Sequence, residues 1–235
     1  MPQPQLNCLI CPVRHLSAFQ SLEPEIVELV NAQKRSTFYR KGQVVFYEGN
    51  PSYGLFCINS GKVKLYKTTP AGKRLTLRIA NPGEQLGYLS LLAGQPYSAT
   101  GEVLEDANIC FIDRRTIYPL LSEKKDASWA ILQILAKELI LAQDRATDIA
   151  HRPVRERMAG LLLLLKQKYG QEDAEGIRLE ISLPREDLAD LIGTTTETAV
   201  RVLSDFRQDH LIKDKNHHIV LLTPKKLAEA AGFLD

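Results

Sequence analysis

Between residues 38 and 112 the apolar positions come in short runs: Val44 to Phe46, Leu55 to Ile58, Leu75 to Ile79, Ala99 to Val103 and Ile109 to Ile112. Turn-forming strings separate them: Glu48-Gly49-Asn50-Pro51, Ser60-Gly61, Pro70-Ala71-Gly72, Asn81-Pro82-Gly83 and Gly94-Gln95-Pro96. Residues 62 to 67 alternate polar and apolar, which sets Val63 and Leu65 on one face of a pleated strand. Many short strands at this spacing predict a small β barrel or jelly roll, preceded by a short helix from Pro24 to Ala32.

From Ala127 the period becomes helical. Leu132, Leu135, Leu139, Ala142, Ala146 and Ile149 recur at spacings of three and four, the a/d seam of a homodimeric coiled helix. Trp129, Ala136 and Ile140 form a second apolar face, expected to turn back onto the β domain. Pro153 marks a break before a helix from Val154 to Tyr169. A polar loop from Gly170 to Gly176, a strand from Ile177 to Leu183 and a helix from Pro184 to Ile192 follow. Gly193 turns the chain into a second helix, from Thr194 or Thr195 to about Gln208, whose core stripe is Val202, Leu203 and Phe206. Two short helices across a glycine turn read as a helix-turn-helix, and a hairpin from Leu211 to Leu222 makes it winged. The predicted class is α+β, in three segments: a sensory jelly roll over 1–126, a dimerisation helix and hinge over 127–152, and a winged helix-turn-helix over 153–235.

Composition narrows the possibilities. The 235 residues are 44% apolar and 25% charged, enough to bury a core. The longest apolar run, Leu161 to Leu165, falls far short of the roughly 20 residues that span a bilayer. The first residues carry neither the basic start nor the apolar stretch of a signal peptide, so a cytoplasmic protein with no membrane partner is expected. In that reducing compartment its four cysteines read as free, metal-bound or redox-sensing thiols. Residues 1–150 carry a net charge of +3 and 151–235 of −1. There is no polybasic tail, so any nucleic-acid binding must rest on a few placed charges.

The string from Leu188 through Ile192-Gly193-Thr194-Thr195-Thr196-Glu197 to Arg201-Val202-Leu203 resembles the recognition segment of bacterial regulators of the Crp/Fnr family. Gly42 to Gly49, Gly61 to Tyr66 and Pro82 to Gly87 look like that family's effector-domain motifs, in the same order and spacing. The resemblance implies a homodimeric transcription regulator, not an enzyme, that binds a palindromic site in double-stranded DNA and meets RNA polymerase if it activates. It assigns base reading to Glu197 and Arg201, with Thr196 and Val200 on the same face. Residues i and i+4 share a helix face, where Arg can donate twice to guanine and Glu can accept from a cytosine amino group. Thr195, Thr198, Lys213, Lys215, His217 and His218 are candidate phosphate contacts. The plainer alternatives are a capping box between Thr194 and Glu197 and a solvated charge at Arg201.

The sensory half departs from the resemblance. Members that bind cyclic AMP resemble Gly-Glu-Leu followed by Arg-Ser, the Glu on the ribose and the Arg and Ser on the cyclic phosphate. This chain has Gly87-Tyr88-Leu89 and Tyr97-Ser98, and a buried phosphate without its Arg lacks the bidentate partner that offsets desolvation. Cyclic AMP in the usual mode is therefore not expected, and Tyr88 and Tyr97 line or fill the pocket between Gly87 and Ser98. Oxygen-sensing Fnr proteins hold a [4Fe-4S] cluster on Cys-x2-Cys-x5-Cys and one barrel cysteine. Cys8, Cys11 and Cys110 match three of these positions, but the third is Ser17, so an iron–sulfur cluster would need His15 or Cys57 instead. Cys57, on a predicted strand, also reads as a small buried hydrophobe. The alternatives are a cyclic-nucleotide-responsive regulator or an oxygen-sensing iron–sulfur regulator. A regulatory subunit with no recognition helix, and a thiol redox enzyme built on Cys8 and Cys11, fit the residues less well.

Overall fold

Alternating apolar residues organise a six-stranded antiparallel sheet in the first part of the chain. The computed structural model describes residues 6–17, 19–20 and 22–232, and divides into two units, Met1–Leu139 and Ile140–Asp235.

In the first unit, helix α1 (Pro24–Gln33) opens on a proline, whose missing N–H costs nothing at a helix start, and buries Ile26, Val27 and Val30. Strands β1 (Arg35–Tyr39), β2 (Val44–Phe46), β3 (Gly54–Thr68), β4 (Arg74–Ala80), β5 (Gln85–Leu86) and β6 (Thr100–Asp113) follow, with helix α2 (Tyr88–Leu92) before β6. The sheet order is β1-β6-β3-β4, with β2 also on β6 and β5 on β3. It is jelly-roll-like and open, not a closed barrel. The run from Leu55 to Ile58 and the alternating segment from Lys62 are one strand, and so are the runs at Ala99 and Ile109. Ser60-Gly61 is a bend within β3, where the register against β6 shifts. Gly61 has φ +82°, and a Cβ there would lie 2.4 Å from the Asp106 carbonyl oxygen, so only glycine fits the bend. Helix α3 (Arg114–Glu123) is capped by Asp113, whose carboxylate accepts from the Arg115 N–H at 2.8 Å.

Helix α4 (Lys125–His151) continues the chain. Ala127 and Ile131 are buried, and Ile134 and Leu135 pack against the core built on Leu22, Val27, Leu55 and Ile117. The face expected to turn inward does not. Trp129 is 63% and Ile140 56% exposed, and Ala136 is exposed, because Ala127, Ile131, Ile134 and Leu135 already fill the contact.

The second unit begins with helix α5 (Val154–Tyr169), then strands β7 (Gly170–Asp173) and β8 (Gly176–Leu179), helices α6 (Arg185–Leu191) and α7 (Thr196–Gln208), strands β9 (Ile212–Lys215) and β10 (His218–Leu221), and helix α8 (Pro224–Ala230). The strands form one sheet in the order β7-β8-β10-β9. The expected loop at Gly170 to Gly176 is the β7–β8 hairpin. Its first strand, an exposed edge of polar residues, shows no apolar alternation to read. Met158, Leu162, Leu188, Leu203, Phe206 and Leu221 form the buried interior.

Candidate nucleic-acid interface and thiol-lined cavity

The second helix of the helix-turn-helix owes its orientation to local chemistry. Gly193 takes φ +66° after α6, and Thr195 is the N-cap of α7, its hydroxyl accepting from the Thr198 N–H at 3.2 Å. The cap is therefore Thr195, not Thr194, and Glu197 is released from the capping-box role. Ala199, Val202, Leu203 and Phe206 face the core, which leaves Glu197, Val200 and Arg201 exposed and Thr196 half-buried on the opposite face. Among the described residues, nothing pairs with Glu197 or Arg201. One face of α7 thus carries a donor fork, an acceptor and an apolar contact, all open to a partner.

Arg157, on α5, was not singled out by sequence. Its guanidinium donates to the carbonyls of Arg152 (2.5 Å), Ile149 (3.3 Å) and Asp148 (3.4 Å) at the end of α4, and to those of Ile192 (2.9 Å) and Gly193 (3.3 Å) in the turn before α7. Two carbonyl-rich helix ends are tied through one fixed charge. Ile149, a seam position, also lies against the turn, since a Cβ on Gly193 would come within 2.9 Å of its Cδ1.

The wing residues are more committed than their sequence implies. Asn216 and His217 both have positive φ, the two-residue turn that matches strand twist. Lys213 pairs with Glu175, and Lys215 donates to Asp173 at 2.9 Å, a bond that holds the Asp173 carboxyl below its ordinary value. The His218 ring meets the Leu179 carbonyl at 2.8 Å, while His217 is exposed. Asp214 accepts from Arg185 at 2.6 Å and Arg207 at 2.5 Å. Burial raises its carboxyl, but the two guanidinium groups outweigh burial and hold it below 3.8.

In the first unit the tyrosines fill space. Tyr97 is buried, packs its ring tilted against Phe46 with centroids 4.6 Å apart, and donates to the Gly54 carbonyl at 2.9 Å. The Ser98 N–H is taken by the Ser90 hydroxyl at 3.0 Å. Gly87 has φ +78°, and a Cβ there would strike the Tyr97 ring. Tyr88 is buried beside Glu138. Burial first, and then that carboxylate, push its hydroxyl up to about 12. Arg78 bridges Glu84 (2.6 Å) and Glu138 (3.4 Å), a charged knot that sequence reading missed because its members lie on β4, the following loop and α4.

Elsewhere in this unit all four cysteines line one small cavity of about 50 Å³. Cys57 on β3 and Cys110 on β6 are direct cross-strand partners. Cys8 and Cys11 come from the segment before α1, which is anchored where the Cys8 N–H donates to Asn31 Oδ1 at 2.9 Å and Lys34 reaches the Leu6 carbonyl. The Cys11 sulfur accepts from Asn59 at 3.3 Å, and Cys110 meets the Ser36 hydroxyl at 3.4 Å. Burial pushes Cys8 up to about 11, Cys57 well above the ordinary thiol value and Cys110 above it, so these thiols are neutral. Among the described residues, no three Cys, His, Asp or Glu side chains are gathered closely enough for one metal ion.

Residues 36–124 match the family model of the cyclic nucleotide-binding domain, and residues 156–230 that of the Crp-like helix-turn-helix domain. The chain is similar to the CRP-like cAMP-activated global transcriptional regulator of Mycobacterium tuberculosis, with 27% identity covering 91% of this chain and 95% of that one. It is also 24% identical to the fumarate and nitrate reduction regulatory protein of Escherichia coli, covering 97% and 91% of the two chains. A solved CRP/FNR family regulator from Thermus thermophilus superposes with a TM-score of 0.69 at 26% identity, over 84% of this chain and 98% of that one.

Proposed function

Because this chain belongs to the Crp/Fnr family of transcriptional regulators, we infer that it is a cytoplasmic homodimer that reads a two-fold symmetric DNA site through α7. No catalytic activity is assigned to it. The observation that carries this reading is the outward face of α7, where Glu197, Val200 and Arg201 stand exposed while Ala199, Val202, Leu203 and Phe206 on the opposite face are buried. Recognition helices of dimers enter successive major grooves about one helical turn apart, so the half-sites are spaced accordingly. Arg201 donates to guanine, Glu197 accepts from cytosine, and Thr196 and Val200 shape the contact. Thr195, Thr198, Lys213, Lys215, His217 and His218 remain the backbone candidates. His217 is the most available of them, since Lys213 and Lys215 must share their charge with Glu175 and Asp173. RNA polymerase is the further partner if the protein activates.

Two features support the dimer and the nature of its signal. Along α4, Leu132 and Leu139 are more than half exposed, and Ala142, Ala146 and Ile149 continue the same exposed seam. Leu135 contributes less, because its side chain packs on its own unit. In the sensory unit Tyr97 fills the interior and Ser90 already holds the Ser98 amide, which favours a signal other than cyclic AMP in the usual mode.

Replacing Arg201 with Ala tests the reading. Affinity for the symmetric site should fall by about 1–3 kcal/mol with non-specific binding nearly unchanged. An equal loss on random DNA would make Arg201 a phosphate contact and refute base reading.

A further inference from the structure

Granted the homodimer, on which this inference rests, we propose that its two copies meet through the stripe Trp129, Leu132, Ala136, Leu139, Gln143 and Ala146 of α4, and not through the seam that takes in Leu135, Ala142 and Ile149. The stripe recurs at spacings of three and four, as a coiled-helix seam requires, and every residue in it is exposed. It shares Leu132, Leu139 and Ala146 with the expected seam and moves the alternate positions on by one residue, which turns the seam by about 50° around the helix.

The packing of α4 fixes that turn. Its inward face carries Ala127, Ile131 and Ile134, and at about 100° per residue the line opposite them runs through Trp129, Ala136 and Gln143. Leu135 and Ile149 are spent at home, one packed on its own unit and the other against the turn at Gly193. Charge divides the two registers in the same way. Neither the stripe nor its neighbours Gln133, Leu135, Ile140 and Ala142 include an Asp, Glu, Lys or Arg. Beside the expected seam lie Glu138 and Arg145, and Glu138 is already paired with Arg78 at 3.4 Å.

An uncharged stripe of this kind is self-complementary, because about a two-fold axis each residue meets its own counterpart. Ala136 and Ala146 let two helices approach closely. Trp129, 63% exposed on its own unit, supplies the large rigid anchor that interfaces favour. Gln143 sets one amide opposite its twin, a polar contact that holds two helices in register. The second apolar face of α4 thus has an occupant, the same face of a second chain.

The test places one charge on either of two exposed alanines, Ala136→Glu and Ala142→Glu, in the full chain. In sedimentation Ala136→Glu should raise the dimer dissociation constant by roughly 10²-fold or more, the cost of like charges buried across the axis, and Ala142→Glu by less than about tenfold. Circular dichroism should show both variants as helical as the unaltered chain. Trp129 is the single tryptophan, so its emission reports the same contact. It should lie at shorter wavelength and resist acrylamide quenching in the dimer, and lose both properties in the Ala136→Glu monomer. Equal dissociation constants for the two variants, the reverse order, or Trp129 emission that is the same in dimer and monomer would overturn this register and leave the dimer standing. An unaltered chain that sediments as a monomer would overturn the homodimer and the register together.

Discussion

The two units use their polar and reactive side chains in opposite directions. In the second, the groups with recognition chemistry stand outward on α7, and the structural polar groups lie behind them: Thr195 caps the helix and Arg157 closes the turn. In the first, the corresponding groups point inward. Tyr88 and Tyr97 are buried, the Ser98 amide is occupied, and four thiols face a cavity. A surface that meets a large partner can be ready before the partner arrives. An interior whose polar groups are already paired with one another offers no such ready surface.

That contrast can be broken most severely on the seam. Leu139→Glu would set two like charges across the proposed two-fold axis, and the loss of bivalency should weaken operator binding by roughly 10²–10⁴-fold. Sedimentation should show monomers, with each unit's helicity and sheet content intact. A dimer of normal affinity would move the interface away from α4.

A smaller but still large effect is expected inside the sheet. Tyr97→Ala empties space against Phe46 and removes the bond to Gly54, so stability should fall by about 3 kcal/mol in chemical denaturation. In the unaltered protein, millimolar cyclic AMP should leave the melting temperature unchanged. A saturable rise in melting temperature would show that the inward tyrosines leave room for the nucleotide.

The outward side is tested by Thr195→Ala, which should cost about 1 kcal/mol of stability, measured by denaturant unfolding, by removing the cap of α7. No change would mean that α7 is held by packing alone. The smallest effect concerns Asp214. Its folded carboxyl lies below the ordinary 3.8, so its stabilisation is complete above about pH 4 and is lost as pH falls through the lower folded value. Because Asp214 is partly exposed, Asp214→Asn should cost about 0.2–1 kcal/mol at neutral pH and flatten the acid unfolding curve below pH 4.

The same contrast decided what could be read from the sequence. The shared outward face of Glu197 and Arg201 is legible because helical spacing and a glycine turn put them together with no knowledge of the rest of the fold. The wing and α5 were legible for the same local reasons. The relation of Cys57 to Cys110 depends on the β3–β6 register, which a bend at Gly61 shifts and no local pattern encodes. Helices α2, α3 and α8 were missed because each is short and lies beside stronger turn signals, Pro119 even sitting inside α3. The inward stripe of α4 was misread because two apolar faces compete on one helix, and only the shape of the core decides between Ile131 and Trp129.

Arg157 holds five carbonyls belonging to two helix ends, which makes the joint between the last turn of α4 and the turn before α7 behave as a keyed shaft. Rotation of that last turn cannot be dissipated there, because slipping would strand several acceptors at once. A lysine in place of Arg157 keeps the charge but lacks the planar fork, so it would hold fewer of these carbonyls and leave the two helix ends looser against each other.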